Sequence, residues 1–191
     1  MTHTPNFTSP LFSDITQALG VVPIVRLNHL HPVCQSHQLY LKLESCNPGG
    51  SIKEKNAAFL IQHAEQHGIL SPGGTIIESS SGNFGIGLAM VGAAKGYHVM
   101  IVIDAKTPTI VRRMLMAYGV ELVEVPLSEA DIHGSMQVAR MEKAQALAAQ
   151  IPNSWYVCQH MNPMNTEVHA QYTSREIEAA FGGAPDTIVV N

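Results

Sequence analysis

The sequence predicts an α/β fold with an open, mainly parallel sheet and helices on both faces. Three observations carry that prediction. From about Gly68 onward, short apolar runs alternate with helical stretches. The run His98-Val-Met-Ile-Val-Ile103 is almost continuously apolar, as a strand buried on both faces of a parallel sheet must be. Gly96, Gly119 and Gly182-Gly183 each follow a helical stretch and end it.

Taken in order, Thr75–Ile77 is a β-branched strand, and Phe84–Lys95 is a helix of small residues that ends at Gly96, a natural C′ glycine. The strand His98–Ile103 follows. Thr107 and Pro108 read as N-cap and N1 of a helix that stops at Tyr118-Gly119. Val120–Val125 is the next strand, and a long helix is expected over Ser128–Gln150. A short strand at Trp155–Val157, a helix over Thr166–Ala180 ending at Gly182-Gly183, and a final strand at Thr187–Val190 complete the pattern. Strand and helix alternate throughout, which defines the class.

Composition narrows the function. The chain has 191 residues, enough for one large or two small domains. Only 14% of them are charged against 46% hydrophobic, so much of the chain must be buried. Eleven Lys and Arg against fifteen Asp and Glu leave a net charge of −4. No basic cluster exists beyond Arg112-Arg113, so nucleic acid is not an expected partner. No apolar run approaches the roughly 20 residues that cross a bilayer, so no membrane role is expected. Met1–Pro10 lacks the features of a signal peptide, and three widely spaced cysteines (Cys34, Cys46, Cys158) read as reduced thiols; both point to the cytoplasm.

The segment Asn47-Pro-Gly-Gly-Ser-Ile-Lys53-Glu-Lys55 is the first with chemical content. Gly49 and Gly50 free the backbone. Ser51 and Glu54 have the spacing of a capping box, which puts Lys53 in the first turn of a helix. The positive end of the helix dipole disfavours an ammonium there and favours the neutral amine, which is the nucleophile of Schiff-base chemistry. A solvated surface lysine is the plain alternative.

The second segment is Glu78-Ser-Ser-Ser-Gly-Asn-Phe-Gly85, between a strand and a helix. Its hydroxyls (Ser80 and Ser81 among them), Gly82 and the helix N-terminal amides form an anion cradle suited to a carboxylate or a phosphate. The alternative is an ordinary Ser-rich turn. The glycine order is wrong for a dinucleotide loop. The third segment, Gln159-His-Met-Asn-Pro163, follows a strand and is unspecific by itself. His63 and His67 stand four apart on a helix, but nothing in the sequence supplies a third ligand, so no metal is expected. No G-x-S-x-G elbow makes the serines hydrolase nucleophiles.

Together these motifs resemble the fold type II pyridoxal-phosphate (PLP) enzymes, in the cysteine synthase and β-substituted alanine synthase branch. Asn47–Lys53 looks like that family's Schiff-base segment. Glu78–Gly85 is similar to its substrate-carboxylate loop, with Asn83 at the asparagine that contacts the cofactor ring hydroxyl. Gln159 matches a glutamine that helps bind the substrate carboxylate, and Gly20–Leu27 looks like the opening segment. Gly49-Gly50-Ser51, the Ser-Ser-Ser-Gly-Asn loop and Gly85–Met90 look closest to the siderophore-pathway branch that joins O-phosphoserine to glutamate, a precursor step to 2,3-diaminopropionate. Phe84 replaces a threonine usual in cysteine synthases, and Val21-Val22 an Asn-Thr pair.

The resemblance implies PLP as cofactor, Lys53 as catalytic and cofactor-binding residue, and Asn83 as a further cofactor contact. It implies Ser80, Ser81, Gly82, Asn83, Phe84 and Gln159 as substrate-binding residues. The reaction implied is β-replacement on an O-activated L-serine, O-phosphoserine or O-acetylserine, through bound aminoacrylate. The partners implied are small-molecule amino acids and, in a complete enzyme, a second copy in a homodimer. By the resemblance, residues 1–45 belong to a large domain, 46–152 form a small domain and 153–191 begin the large-domain core. The family's glycine-rich phosphate loop is expected beyond the last residue. Two alternatives stand beside this reading: a non-catalytic fragment or scaffold, and a β-eliminating lyase of the serine or threonine dehydratase kind.

Overall fold

A computed structural model describes residues 11–29, 32 and 36–190 of the chain. Met1–Pro10 and Cys34 lie outside the described residues. Four strands, β3 (Thr75–Ser79), β4 (His98–Asp104), β5 (Glu121–Val125) and β6 (Ser154–Tyr156), form one parallel sheet in the order β5-β4-β3-β6. Two earlier strands, β1 (Ile24–Leu27) and β2 (Leu39–Lys42), pair antiparallel as a separate ribbon. The α/β class with a parallel sheet and flanking helices therefore holds.

The strand sequences explain the layers. Side chains alternate across a sheet with period two. Ile76, Val99, Ile101 and Ile103 face one way, into a core shared with α1 (Lys53–Gln66), α2 (Asn83–Lys95) and Leu115 of α3 (Thr109–Ala117). Ile77, Met100 and Val102 face the other way, onto α4 (Gln137–Gln150). Both faces of β4 are apolar because both are covered.

Chain order fixes the place of a site. β3, β4 and β5 step toward one edge, and α4 then carries the chain back to lay β6 beside β3. The order reverses between β3 and β6, and in open α/β sheets ligands bind beyond the carboxyl ends of the strands at that reversal. Ser79 and Tyr156 are the carboxyl ends, and the serine loop and the Gln159 loop follow them.

The structure corrects several boundaries. The helix expected from Ser128 begins only at Gln137. Asp131 Oδ1 accepts from His133 N at 2.9 Å and Ser135 N at 2.7 Å, and Gly134 has φ +73°, so a side-chain-closed turn replaces the first helical turns. Thr107 does not cap α3. Its hydroxyl accepts from Asp104 N at 3.3 Å and closes the turn after β4, so the helix starts at Thr109. The helix expected at Thr166–Ala180 starts at Met164 as α5 (Met164–Val168), runs through a π-helical stretch over His169–Thr173, and continues as α6 (Ser174–Phe181) to Gly182 at φ +68°. Thr187–Val190 forms no strand; Val189 and Val190 are exposed, with no neighbouring ladder to join. β6 pairs with β3 through Thr75↔Ser154, Ile76↔Trp155 and Ile77↔Tyr156.

Candidate active site

Lys53 opens α1, and the local sequence builds that start. Gly50 takes φ +83°, a turn that L side chains resist. Ser51 Oγ accepts from Lys53 N at 3.1 Å and donates to Glu54 Oε1 at 2.9 Å, while Glu54 Oε2 accepts from Ser51 N at 3.1 Å. This is the reciprocal capping read from the spacing. Glu54 is fully buried, and burial holds its carboxyl above the usual range. Asn47 Nδ2 closes the loop onto Ser51 O at 2.8 Å.

A glycine sets how close Lys53 comes to the serine loop's helix. A Cβ on Gly87 would lie 2.9 Å from Lys53 O and 3.2 Å from Glu54 Cα. The first turn of α1 therefore rests directly on the backbone of α2. Next to Lys53, the first turn of α1 is tied to the C-terminal helices. Lys55 Nζ donates to Glu176 Oε1 at 2.8 Å, and Lys42 also meets Glu176. Burial works to lower the Lys42 ammonium, and its bonds to Glu176 and Glu44 outweigh that and raise it.

The serine loop is shaped by Ser80. Its hydroxyl accepts from Gly85 N at 3.0 Å and from Gly82 N at 3.4 Å, which holds the loop at the start of α2. Of the first-turn amides of α2, Gly85 N is taken by Ser80 and Ile86 N by Gly82 O, which leaves those of Asn83 and Phe84 for an anion.

All the sequence-derived residues border one cavity of about 370 Å³, which lies at the strand-order reversal. Lys53, Ser80, Ser81, Gly82, Asn83, Phe84 and Gln159 line it. Lys53 is half-buried, and among the described residues no carboxylate pairs with its Nζ. Asn83 is exposed at the start of α2, and the Phe84 ring is part of the apolar core.

Ser79, Gln137, Arg140 and His160 complete the lining; Ser79 and His160 belong to the two loops read from the sequence, whereas Gln137 and Arg140 were missed. Arg140 is the important omission. Its Nε lies 3.2 Å from Asp104 Oδ2, an ion pair rather than a directed hydrogen bond, and its Nη1 is buried without a partner. Its side chain is 13% exposed. A lone arginine on a helix carries no motif, and its partner stands on a strand far away in sequence. Glu78 left a visible signal, a carboxylate inside the apolar strand Thr-Ile-Ile-Glu-Ser. It is wholly buried, and burial pushes its carboxyl up to about 7 against the backbone N–H groups that stabilise the anion. His63 and His67 stack at 4.0 Å, and among the described residues no group of three metal-ligating side chains forms.

The fold and site define a class: a doubly wound α/β protein with a lysine at a helix start, without an ion pair among the described residues, sharing a cavity with a serine-rich loop at the N-terminus of a second helix. The pyridoxal-phosphate-dependent enzyme family matches residues 15–191, and the chain belongs to it. A cysteine synthase of Flavobacterium sp. (strain K3-15) is 39% identical over 178 residues, which cover 93% of this chain and 55% of that enzyme. A probable cysteine synthase of Bacillus subtilis is 43% identical over 172 residues, covering 90% and 53%. Among solved structures, O-ureido-L-serine synthase superposes with a TM-score of 0.81 at 38% identity, over 93% of this chain and 54% of its own. The O-acetylserine-dependent cystathionine β-synthase of Helicobacter pylori gives 0.79 at 29%, covering 91% and 55%. The chain spans about half the length of the relatives it matches.

The residues fit the family's cofactor. A lysine without an ion pair borders a cavity within the roughly 300–1,000 Å³ range of small-molecule sites, beside an anion cradle. Among the described residues, no helix is long and apolar enough to cross a membrane.

Proposed function

We propose that this chain carries the lysine and substrate half of a PLP-dependent enzyme that performs β-replacement on an O-activated L-serine. The observation that supports it best is the convergence of Lys53, the serine loop and Gln159 on one cavity. Lys53 Nζ is the covalent anchor for the cofactor, and Asn83 is a further contact. When bound, the cofactor withdraws electrons from the substrate α-carbon. The substrate carboxylate docks on the Ser80–Asn83 segment and Gln159. Lys53 Nζ, once released, takes the α-proton as a base. Phe84 keeps the loop seated on the core, which leaves the cradle to backbone amides and hydroxyls.

Arg140 favours an anionic leaving group. Its buried Nη1 has no partner, and charge-assisted hydrogen bonds to phosphate are the strong ones. O-phosphoserine is therefore the preferred donor over O-acetylserine, with an amino-acid amine as acceptor, as in siderophore-precursor synthesis.

We also propose that the β1–β2 ribbon and the helices after β6 pack against a larger unit, as the assignment of residues 1–45 and 153–191 to a large domain implies. The support is surface chemistry. Val25, Leu39 and Leu41 on the ribbon and Phe181 on α6 are all exposed. The complete enzyme is proposed to be a homodimer that acts in the cytoplasm.

The test is product analysis. The enzyme is given PLP with O-phosphoserine or with O-acetylserine, and released phosphate or acetate is measured with an amine or sulfide acceptor. Faster cysteine formation from O-acetylserine overturns the donor assignment. Failure of borohydride to fix PLP on Lys53 overturns the lysine assignment.

A further inference from the structure

The two loops of the site leave adjacent strands, and the strand ladder between them ends at Ile77↔Tyr156, with Val157 N still donating to Ile77 O at 3.0 Å. Beyond that point a side chain takes over. Glu78 Oε1 accepts from Ser79 N at 2.8 Å, and Oε2 accepts from Gln159 N at 3.1 Å. One buried carboxylate thus holds the backbone of both loops.

The other side of Gln159 is held as well. Asn165 Nδ2 donates to Gln159 O at 2.9 Å, and Asn165 Oδ1 accepts from Asn56 Nδ2 at 2.9 Å. Asn56 lies three residues after Lys53, on the same side of α1. It also donates to His169 Nε2 at 3.2 Å, which leaves the ring proton on Nδ1, facing Thr173 Oγ1 at 3.1 Å. Burial, and then the nearby Lys53, hold the His169 imidazole below its ordinary range, so it accepts as a neutral ring. The chain of bonds runs unbroken from Ser79 through Glu78, Gln159 and Asn165 to the helix that begins at Lys53.

We propose that Glu78 and Asn165 are positioning residues: they clamp the Gln159 peptide at both ends, and so fix the carboxylate-binding loops relative to the Lys53 helix. The consequence for an amino-acid ligand rests on the β-replacement reading. The clamp itself does not.

The clamp responds to protonation. An ionised Glu78 offers acceptors to both loops, and a protonated one turns an oxygen into a donor facing an N–H. Few other charged groups meet it. Tyr156 and Cys158, from β6 and the turn after it, are the titratable neighbours, and burial and then Glu78 raise the Tyr156 hydroxyl. Asp104 of β4 and Arg140 of α4 engage each other. Glu142 and Lys143 of α4 are exposed, Lys95 of α2 pairs with Glu65, and Glu54 of α1 is bonded to Ser51.

The test follows the Glu78 carboxyl carbon and the Ser79 and Gln159 amides by NMR as pH is raised through neutrality. The expected result is one shared midpoint near 7 for all three signals, with the amide steps absent in Glu78→Gln. Where Glu78→Gln does not fold, the shared midpoint in the unaltered protein decides alone. Asn165→Ala keeps the Ser79 step and weakens binding of L-serine to the PLP-loaded protein by about tenfold, the loss of one ordinary hydrogen bond. Separate midpoints, or unchanged L-serine affinity in Asn165→Ala, overturn the proposal. Absence of PLP on Lys53 counts against the proposed reaction instead, and the amide midpoints still decide the clamp.

Discussion

Gly87 and Lys53 are in backbone contact: a single methyl on Gly87 would stand 2.9 Å from the Lys53 carbonyl oxygen. Gly87→Ala adds that methyl inside α2, where alanine itself is favoured over glycine by up to about 1 kcal/mol. The contact is with backbone, so no rotamer relieves it, and overpacking costs about 1–3 kcal/mol. The variant is expected to be less stable in urea and to fix less PLP on Lys53 under borohydride, with its helix content retained.

Lys53→Ala separates chemistry from folding. Lys53 has no ion pair among the described residues and stands at a helix start, so its loss shifts stability by no more than about 0.5 kcal/mol. Covalent PLP capture and turnover are expected to vanish. Turnover surviving in this variant rules out Lys53 as the anchor.

Arg140 is expected to matter twice. Arg140→Ala leaves Asp104 buried without its cation, and breaking a buried pair costs about 3–5 kcal/mol. Arg140→Lys retains charge while losing the planar fork, so it is the better probe of donor choice. It should slow turnover of O-phosphoserine at least tenfold more than that of O-acetylserine. Equal slowing of both donors would remove the leaving-group role.

Glu78 gives stability a pH dependence of known sign. Its carboxyl titrates near 7 in the fold, against an ordinary value of 4.5. Below 4.5 it is protonated in folded and unfolded chains alike. Between 4.5 and 7 only the unfolded chain ionises, so stability falls as pH rises, and it levels off above 7. The loss amounts to roughly 3 kcal/mol at 1.36 kcal/mol per unit. Urea midpoints across this window, taken as the difference between the unaltered protein and Glu78→Gln, should show the slope. A flat difference would mean that Glu78 does not hold a proton in the folded state.

Much of this architecture is legible in the residues themselves. The both-sides-apolar run at His98–Ile103 identifies a central strand because period-two burial acts on every residue of it. Lys53 and the serine loop are legible because short-range chemistry, a capping box and a glycine turn, places each at a helix start; Gln159 follows a strand and is singled out only by the resemblance. Arg140 is not legible, since its meaning depends on Asp104 and on the crossing of α4 over the sheet. The late start of α4 is hidden for a related reason: Asp131 competes for backbone amides within a stretch whose composition suits a helix. Thr187–Val190 has strand composition, but a strand needs a neighbour, and composition cannot supply one.

The ion cluster at the first turn of α1 has a consequence for synthesis. Glu176, which pairs with Lys55 and Lys42, follows Lys55 by 121 residues. A nascent chain emerging from the ribosome presents Lys55 with Glu44 long before it presents Glu176. The turn that carries Lys53 is therefore completed only once Glu176 has been made, after all four strands of the parallel sheet.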